Sequence, residues 1–227
     1  MIEPAATQTI AVIGGTGPQG KGLAYRWAAA GHGVVLGSRA AERAQAAARE
    51  IRERLPEASV RGAANADALE GADVVLLAVP YDGHDDLVES LADALAGKVV
   101  ISCVNPLGFD KDGPYGLDVE RSAAEAAAAI VPTARVVGAF HHVSAVSLWK
   151  HDGPLDHEDV LVCGDNADAK AVAIGLARAV TGRDGVDAGR LRLARQLEPL
   201  TAVLISINKR YRTRSGVAIS GIPGRDH

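Results

Sequence analysis

Cysteine is almost missing from this 227-residue sequence, which has only Cys103 and Cys163. Two cysteines cannot build the disulfide framework of a small secreted fold, and neither stands in a CxxC pair or at ligand-like spacing from a histidine. Both lie in apolar runs and read as small buried hydrophobes. Aromatic residues are scarce at 4%, and the formal net charge is −4, a poor match to a nucleic-acid partner. No apolar run approaches the roughly 20 residues needed to cross a bilayer. Met1–Gln8 contains Glu3 and Pro4 but lacks the basic-then-apolar order of a leader peptide. There is no HExxH, no GxSxG, and no carboxylate–histidine cluster with the spacing of a metal site. The expectation is a soluble, cytoplasmic globular protein with no metal, no membrane and no nucleic acid among its partners.

What is present is an alternation. Short apolar runs occur at Thr9–Gly14, Gly33–Gly37, Ala72–Pro80, Lys98–Cys103 and Arg135–Ala139, each bounded by Gly, Pro or Asp, with a weaker one at Ser59–Ala63. Such runs suit strands buried on both faces of a parallel sheet. Between them, Lys21–Ala30, Ala40–Leu55, His84–Leu95 and Val119–Ile130 are rich in helix formers. Strand and helix in turn predict an α/β fold, a doubly wound parallel sheet of Rossmann type. Near residue 147 the pattern changes to a loop, Trp149 to Pro154. A strand at Asp159–Gly164 follows, then a helix from about Asn166 to Val180, capped by Asn166 or Asp165. Leu191–Arg210 reads as a last helix that Pro199 should kink or divide. The expected division is a nucleotide-binding domain over 1–146 and a smaller C-terminal α/β domain over 147–227.

The sequence Gly15-Thr16-Gly17-Pro18-Gln19-Gly20 is a GxGxxG element directly after the first strand and before a helix. In that context Gly15 permits the tight turn, Gly17 lets backbone approach a pyrophosphate, and Gly20 lets the helix pack on the sheet. The helix N-terminus offers unpaired N–H groups to phosphate. The end of the second strand, Gly37-Ser38-Arg39, lacks the carboxylate that would bind the ribose hydroxyls of NAD. Arg39, with Ser38 and with Arg43 one helical turn on, suits a 2′-phosphate, so the expected dinucleotide is NADP(H).

Ligands of open α/β sheets sit outside the carboxyl ends of the strands. Val79-Pro80-Tyr81 and Asn105-Pro106-Leu107 occupy such ends. Tyr81 and Leu107 either flank a nicotinamide ring or pack within their loops. His141 and His142 end the strand Arg135–Ala139 and point toward the same cleft, as substrate-orienting or proton-carrying groups or as packed histidines. Charge is also uneven. The segment from Arg183 onward carries +5 and the remainder −9, so a basic C-terminal stretch could attract an anionic ligand.

These residues resemble the F420:NADP oxidoreductases, the NADPH-dependent reductases of coenzyme F420. The resemblance rests on Gly14-Gly15-Thr16-Gly17 through Lys21-Gly22-Leu23-Ala24, Gly37-Ser38-Arg39 with Arg43, and Glu120-Arg121-Ser122-Ala123-Ala124-Glu125. It extends to Val162-Cys163-Gly164-Asp165 and to Asp187-Ala188-Gly189 with Leu191. It implies reversible hydride transfer between NADP(H) and a deazaflavin, F420, held in an interdomain cleft of a homodimer. On that match Thr16, Gly17, Pro18, Gln19, Ser38, Arg39 and Arg43 bind phosphates. Tyr81, Asn105, Leu107 and Ala145 line the nicotinamide region, and His141 stands near the deazaflavin. The sequence departs from the family at Ser144, where a proline is usual, and at Val104-Asn105, where a more apolar pair stands. Arg192 and Arg195 stand in a segment where relatives can be more neutral. The anionic tail of F420 gives the basic C-terminal stretch a counterpart. The alternatives are an NADPH-dependent reductase of a flavin, ferric chelate, imine or keto acid, and a non-catalytic NADP sensor.

Overall fold

The computed structural model describes residues 7–151 and 153–222. Most of the N-terminal stretch tested for a leader, together with Asp152 of the mid-chain loop and Arg225 of the basic segment, lies outside the described residues.

In chain order the first half comprises β1 (Thr9–Ile13), α1 (Pro18–Ala29), β2 (Gly33–Ser38), α2 (Ala41–Arg54), β3 (Val60–Ala64), α3 (Asn65–Ala68), β4 (Val74–Leu77), α4 (His84–Ser90), α5 (Ala92–Leu95) and β5 (Val99–Ser102). A hairpin of β6 (Leu107–Asp110) and β7 (Gly113–Gly116) follows, then α6 (Ala123–Ile130) and β8 (Arg135–Ala139). The last part holds α7 (Ala145–Lys150), β9 (Leu161–Gly164), α8 (Ala167–Leu176), α9 (Arg178–Thr181), β10 (Val186–Gly189) and α10 (Ala194–Tyr211).

Eight strands form one sheet in the order β10-β9-β8-β5-β4-β1-β2-β3. From β8 to β3 every neighbour is parallel, with Ile10 opposite both Val34 and Val74. The chain steps outward from β1 to β3, returns to β4 on the other side of β1, and continues to β5 and β8. The switch point therefore lies between the carboxyl ends of β1 and β4, where a ligand crevice opens. Successive side chains on each strand face opposite ways. Ile10, Val12, Leu36 and Leu76 pack under Leu23 and Trp27 of α1 and Ala44 and Ala48 of α2. Ala11, Ile13, Val75 and Leu77 pack against Leu95, Ala123 and Ala127.

Several local expectations were refined. The segment 84–95 is two short helices meeting at Leu91, and α6 starts at Ala123 rather than Val119 because Ser122 and Glu125 close a capping box there. Asn166 caps α8 through Ala169 N–H, as its position suggested. The helix α10 passes through Pro199 undivided. The sheet is mostly rather than wholly parallel, because β9 pairs antiparallel with β8, Val137 opposite Gly164. The strands β9 and β10 continue the same sheet, so no break in pairing marks residue 147. The hairpin and β10 had no counterpart in the sequence reading.

Candidate cofactor clefts

At the switch point the phosphate turn is built by close contacts. Gly14, not Gly15, is the left-handed residue, at φ +83°, and a Cβ there would lie 2.4 Å from the Ala78 carbonyl oxygen. A Cβ on Gly15 would meet Leu36 Cδ2 at 2.7 Å, and one on Gly20 would meet the Gly14 carbonyl oxygen at 2.8 Å. These glycines let α1 sit tight on the sheet. Gly17 differs. A Cβ there meets nothing nearer than the Gly14 oxygen at 3.4 Å, so the space above it is open to a ligand. Pro18 fills the first helical position, where a missing N–H costs nothing. The first helical bond runs from Lys21 N–H to the Gly17 carbonyl, leaving the Gln19 and Gly20 amides without helical acceptors.

Thr16, Gly17, Ser38, Arg39 and Arg43 line one cleft of 350 Å3, closed on its far side by Asn65, Val79 and Pro80. Arg39 and Arg43 are exposed, while Ser38 is buried and accepts the Ala40 N–H at 3.3 Å. Asn65 Oδ1 is buried without a hydrogen-bond partner. Two free guanidinium groups, orphan helix amides and an uncovered glycine suit an adenine dinucleotide with a 2′-phosphate.

A second cleft, of 390 Å3, shares Ala78 and Val79 with the first. Gln19, Asn105, His141 and Ala145 line it, as do Cys103, Val143 and Ser144. Its outer wall is α10, through Thr201, Leu204, Ile205 and Asn208, with Ser215 beyond. Sequence reasoning missed Gly14, Asn65 and this wall. The signal present was the 3- and 4-residue spacing of Thr201, Leu204, Ile205 and Asn208, which puts them on one helical face.

The loop after β8 is pinned from several sides. Gln19 Nε2 donates to the Phe140 carbonyl at 3.1 Å, and Phe140 holds a left-handed φ of 64°. The His141 carbonyl accepts from Thr201 Oγ1 at 2.8 Å and from Asn105 Nδ2 at 3.3 Å. Asn105 Nδ2 also reaches Thr201 Oγ1, at 3.1 Å. His142 Nε2 is 2.8 Å from the Leu197 carbonyl oxygen, which fixes that nitrogen as the donor. The His141 ring is different: it is buried, and neither ring nitrogen has a hydrogen-bond partner. Burial first, and His142 beside it second, push its pKa down to about 3 against a smaller upward pull from the nearby Cys103 backbone, so it is neutral.

The helix α7 is held on α1. Arg26, buried in α1, donates to the carbonyls of Ser147, Leu148, His151 and Gly153 around the C-terminus of α7. A cation there also meets the negative end of the helix dipole. Gly22 permits the approach, since a Cβ would lie 2.7 Å from Leu148 Cβ.

Two expected residues lie elsewhere. Tyr81 lines a separate 440 Å3 groove with Asp85, Val119, Glu120 and Arg121. Leu107 opens β6, opposite Gly116, and lines neither cleft. Several cations of the basic segment are already paired: Arg190 with Asp165 at 2.8 Å and Arg195 with Glu125 at 2.6 Å. Among the described residues no group of three or more His, Cys, Asp or Glu is placed to hold a metal ion, and no helix is long and apolar enough to cross a membrane.

Comparison with known proteins agrees with this geometry. Residues 9–106 match the family described as NADP oxidoreductase, coenzyme F420-dependent. The chain is 40% identical over 223 residues to the F420-dependent NADP reductase of Methanothermobacter marburgensis, covering 94% of this chain and 99% of that one. It is 36% identical over 221 residues to the enzyme of the same name from Methanocaldococcus jannaschii, covering 94% and 98%. A crystal structure from Arthrobacter sp. FB24, provisionally assigned as an F420-dependent NADP reductase, superposes with a TM-score of 0.80 at 30% identity, covering 94% of this chain and all of that one. From the phosphate turn to the helix that walls the second cleft, the chain belongs to the F420-dependent NADP reductase family.

Proposed function

We propose that this protein catalyses reversible hydride transfer between NADP(H) in the first cleft and coenzyme F420 in the second. The observation that carries the proposal is that the two clefts meet at Ala78 and Val79, at the switch point, in a chain matching these reductases almost end to end. Both coenzymes bring their own reactive carbon, so the hydride chemistry is theirs.

The protein's part is placement. Arg39, Arg43 and Ser38 take the 2′-phosphate, and the Gln19 and Gly20 amides face the pyrophosphate above Gly17. Asn105 and Ala145 line the second cleft, on the side from which the deazaflavin meets the nicotinamide at Ala78 and Val79. Ala78, Val79, Cys103 and Val143 give the meeting point apolar walls that exclude water. His141, buried and neutral, presents its imidazole to the acceptor ring without adding charge. On this reading residues 1–146 form the NADP half and 147–227 complete the deazaflavin pocket. The exposed Lys209, Arg210, Arg212 and Arg214 continue beyond Asn208 and face the anionic tail of F420. A homodimer in the cytoplasm belongs to the same reading. Val203 and Tyr211, 52% and 69% exposed on α10, are the apolar positions a second copy would cover.

The test is to mix protein, NADPH and F420 and follow deazaflavin absorbance. Matched loss of NADPH and oxidised F420 supports the proposal. Turnover with free flavin or ferric chelate but none with F420 overturns it.

A further inference from the structure

The segment Ser122-Ala123-Ala124-Glu125 makes no contact with either cleft, yet it meets the helix that walls the second one. Glu198 of α10 is 1% exposed. Its Oε2 accepts the Ala123 N–H at 2.8 Å and its Oε1 accepts the Ala124 N–H at 3.0 Å. These are the first two amides of α6, which no helical carbonyl can satisfy. The α6 N-terminus already has its own cap, since Ser122 Oγ accepts the Glu125 N–H and the Glu125 carboxylate accepts the Ser122 N–H. Glu198 therefore adds a fixed attachment between two helices more than 70 residues apart in sequence. Arg195, one turn earlier on α10, closes a second link by donating to Glu125 Oε2 at 2.6 Å.

The position of Glu198 on its own helix gives the attachment its consequence. Thr201, Leu204, Ile205 and Asn208 follow at 3- and 4-residue steps, on the face Glu198 occupies. Thr201 then reaches the His141 carbonyl and the Asn105 amide. Glu198 stands one turn before this stripe and outside the second cleft. Any rotation or sliding of α10 at residue 198 is carried along the stripe, because a helix moves as a rigid element.

We infer that Glu198 is a positioning residue for the acceptor half of the reaction: its carboxylate, seated on the Ala123 and Ala124 amides, sets the rotation and height of α10 and so the shape of the F420 pocket and the seat of His141. It lines neither cleft, and the α10 stripe that follows it lines only the second, so its effect falls chiefly on F420. The inference rests on the proposed assignment of the second cleft to F420.

The test compares Glu198→Gln and Glu198→Asp with the parent. Glu198→Gln keeps the volume but removes one of two acceptors and, at pH 8, the charge: burial pushes the Glu198 carboxyl up to about 7, against the pull of the Ala124 and Ala123 amides, so the comparison is made above that value. Glu198→Asp keeps the charge at shorter reach. The expected result for Glu198→Gln is a KM for F420 raised about tenfold, as loss of a charged buried hydrogen bond allows, with the Kd for NADPH within about twofold of the parent. Glu198→Asp should recover part of the loss. Amide hydrogen exchange without F420 should quicken at Ala123 or Ala124 and across 201–208 in Glu198→Gln, while β1 and α1 stay as protected as before. Unchanged exchange at 201–208, or a Kd for NADPH that rises as much as the KM for F420, overturns the positioning role. Failure of the parent to reduce F420 overturns the assignment of the cleft instead, and the exchange measurement still decides whether Glu198 holds α10.

Discussion

Gln19 and Phe140 tie the two halves of the site together. The Gln19 carboxamide, in the first turn of the phosphate-binding helix, donates to the carbonyl of Phe140 at 3.1 Å, directly before His141. Phe140 holds a left-handed backbone, uncommon for a residue with a Cβ, so the surroundings must maintain it. Gln19→Leu should therefore lower kcat for F420 reduction several-fold while the Kd for NADPH changes little. The missing bond is worth about 1 kcal/mol. Single-turnover rates with saturating NADPH check this, and an unchanged rate with weakened NADPH binding would assign Gln19 to the coenzyme alone.

The phosphate turn predicts two different failures for the same kind of change. Gly14→Ala places a methyl against the Ala78 carbonyl at a left-handed φ, so the protein itself should lose stability, by roughly 2 kcal/mol or more. Gly17→Ala meets only ordinary contact within the fold, so its Tm should stay near the parent's, while its Kd for NADPH rises sharply because the methyl fills the ligand's space. Thermal melts with and without NADPH separate the two.

Arg39 and Arg43 are both exposed at the edge of the first cleft, and the proposal gives them the 2′-phosphate. Arg39→Ala should raise the KM for NADPH on the order of tenfold to a hundredfold, the range of a charge-assisted phosphate contact, and leave NADH nearly unchanged. Arg39→Asp should go further and favour NADH, because a carboxylate repels the 2′-phosphate and binds a free ribose hydroxyl. Parallel steady-state assays with both nucleotides give the answer.

The neutral state of His141 has a pH signature. Its folded pKa is pushed down to about 3, against 6.5 for an exposed histidine, so the unfolded chain binds the proton more readily. The stability this contributes is fully present above pH 6.5 and is lost as pH falls from there toward 3. His142 is shifted in the same direction by its burial. Denaturation midpoints should thus fall with acid more steeply in the parent than in His141→Gln. The kcat profile should show no inflection from His141 between pH 6 and 8, as it stays uncharged throughout.

The C-terminal cations give a prediction in salt. Arg190 and Arg195 are committed to Asp165 and Glu125, so under the proposed function steering of the F420 tail would fall to Arg192, Lys209, Arg210, Arg212 and Arg214. The KM for F420 should rise with ionic strength, and replacing Lys209 and Arg210 by Gln should flatten that dependence. A KM indifferent to salt would remove the tail from the account.

Much of this was legible in sequence because it depends on near neighbours. The parallel strands are runs such as Ile10–Ile13 and Val74–Leu77, apolar on both faces, and the phosphate turn is one local motif. What escaped depends on distant partners. The hairpin strands Leu107–Asp110 and Gly113–Gly116 contain Gly108, Pro114 and Gly116, poor strand formers. They hold because β7 lies on α10, where Pro199 packs over Gly116. The short β10 contains Asp187 and Gly189 and pairs with β9 in a shifted register. The cleft wall stayed hidden because Thr201 to Asn208 reads as an ordinary amphipathic face until the sheet is placed beneath it. Charge counting found the basic tail but could not show which of its arginines have partners.

Direct hydride transfer between NADP(H) and F420 in the two contiguous clefts is decided by rapid mixing of the protein–NADPH complex with F420. Deazaflavin absorbance should fall with one NADPH oxidised for each F420 reduced, more slowly in Arg39→Ala at low NADPH and in Glu198→Gln at low F420. Tight NADPH binding without any F420 reduction, in the presence of turnover with free flavin or none at all, would contradict it.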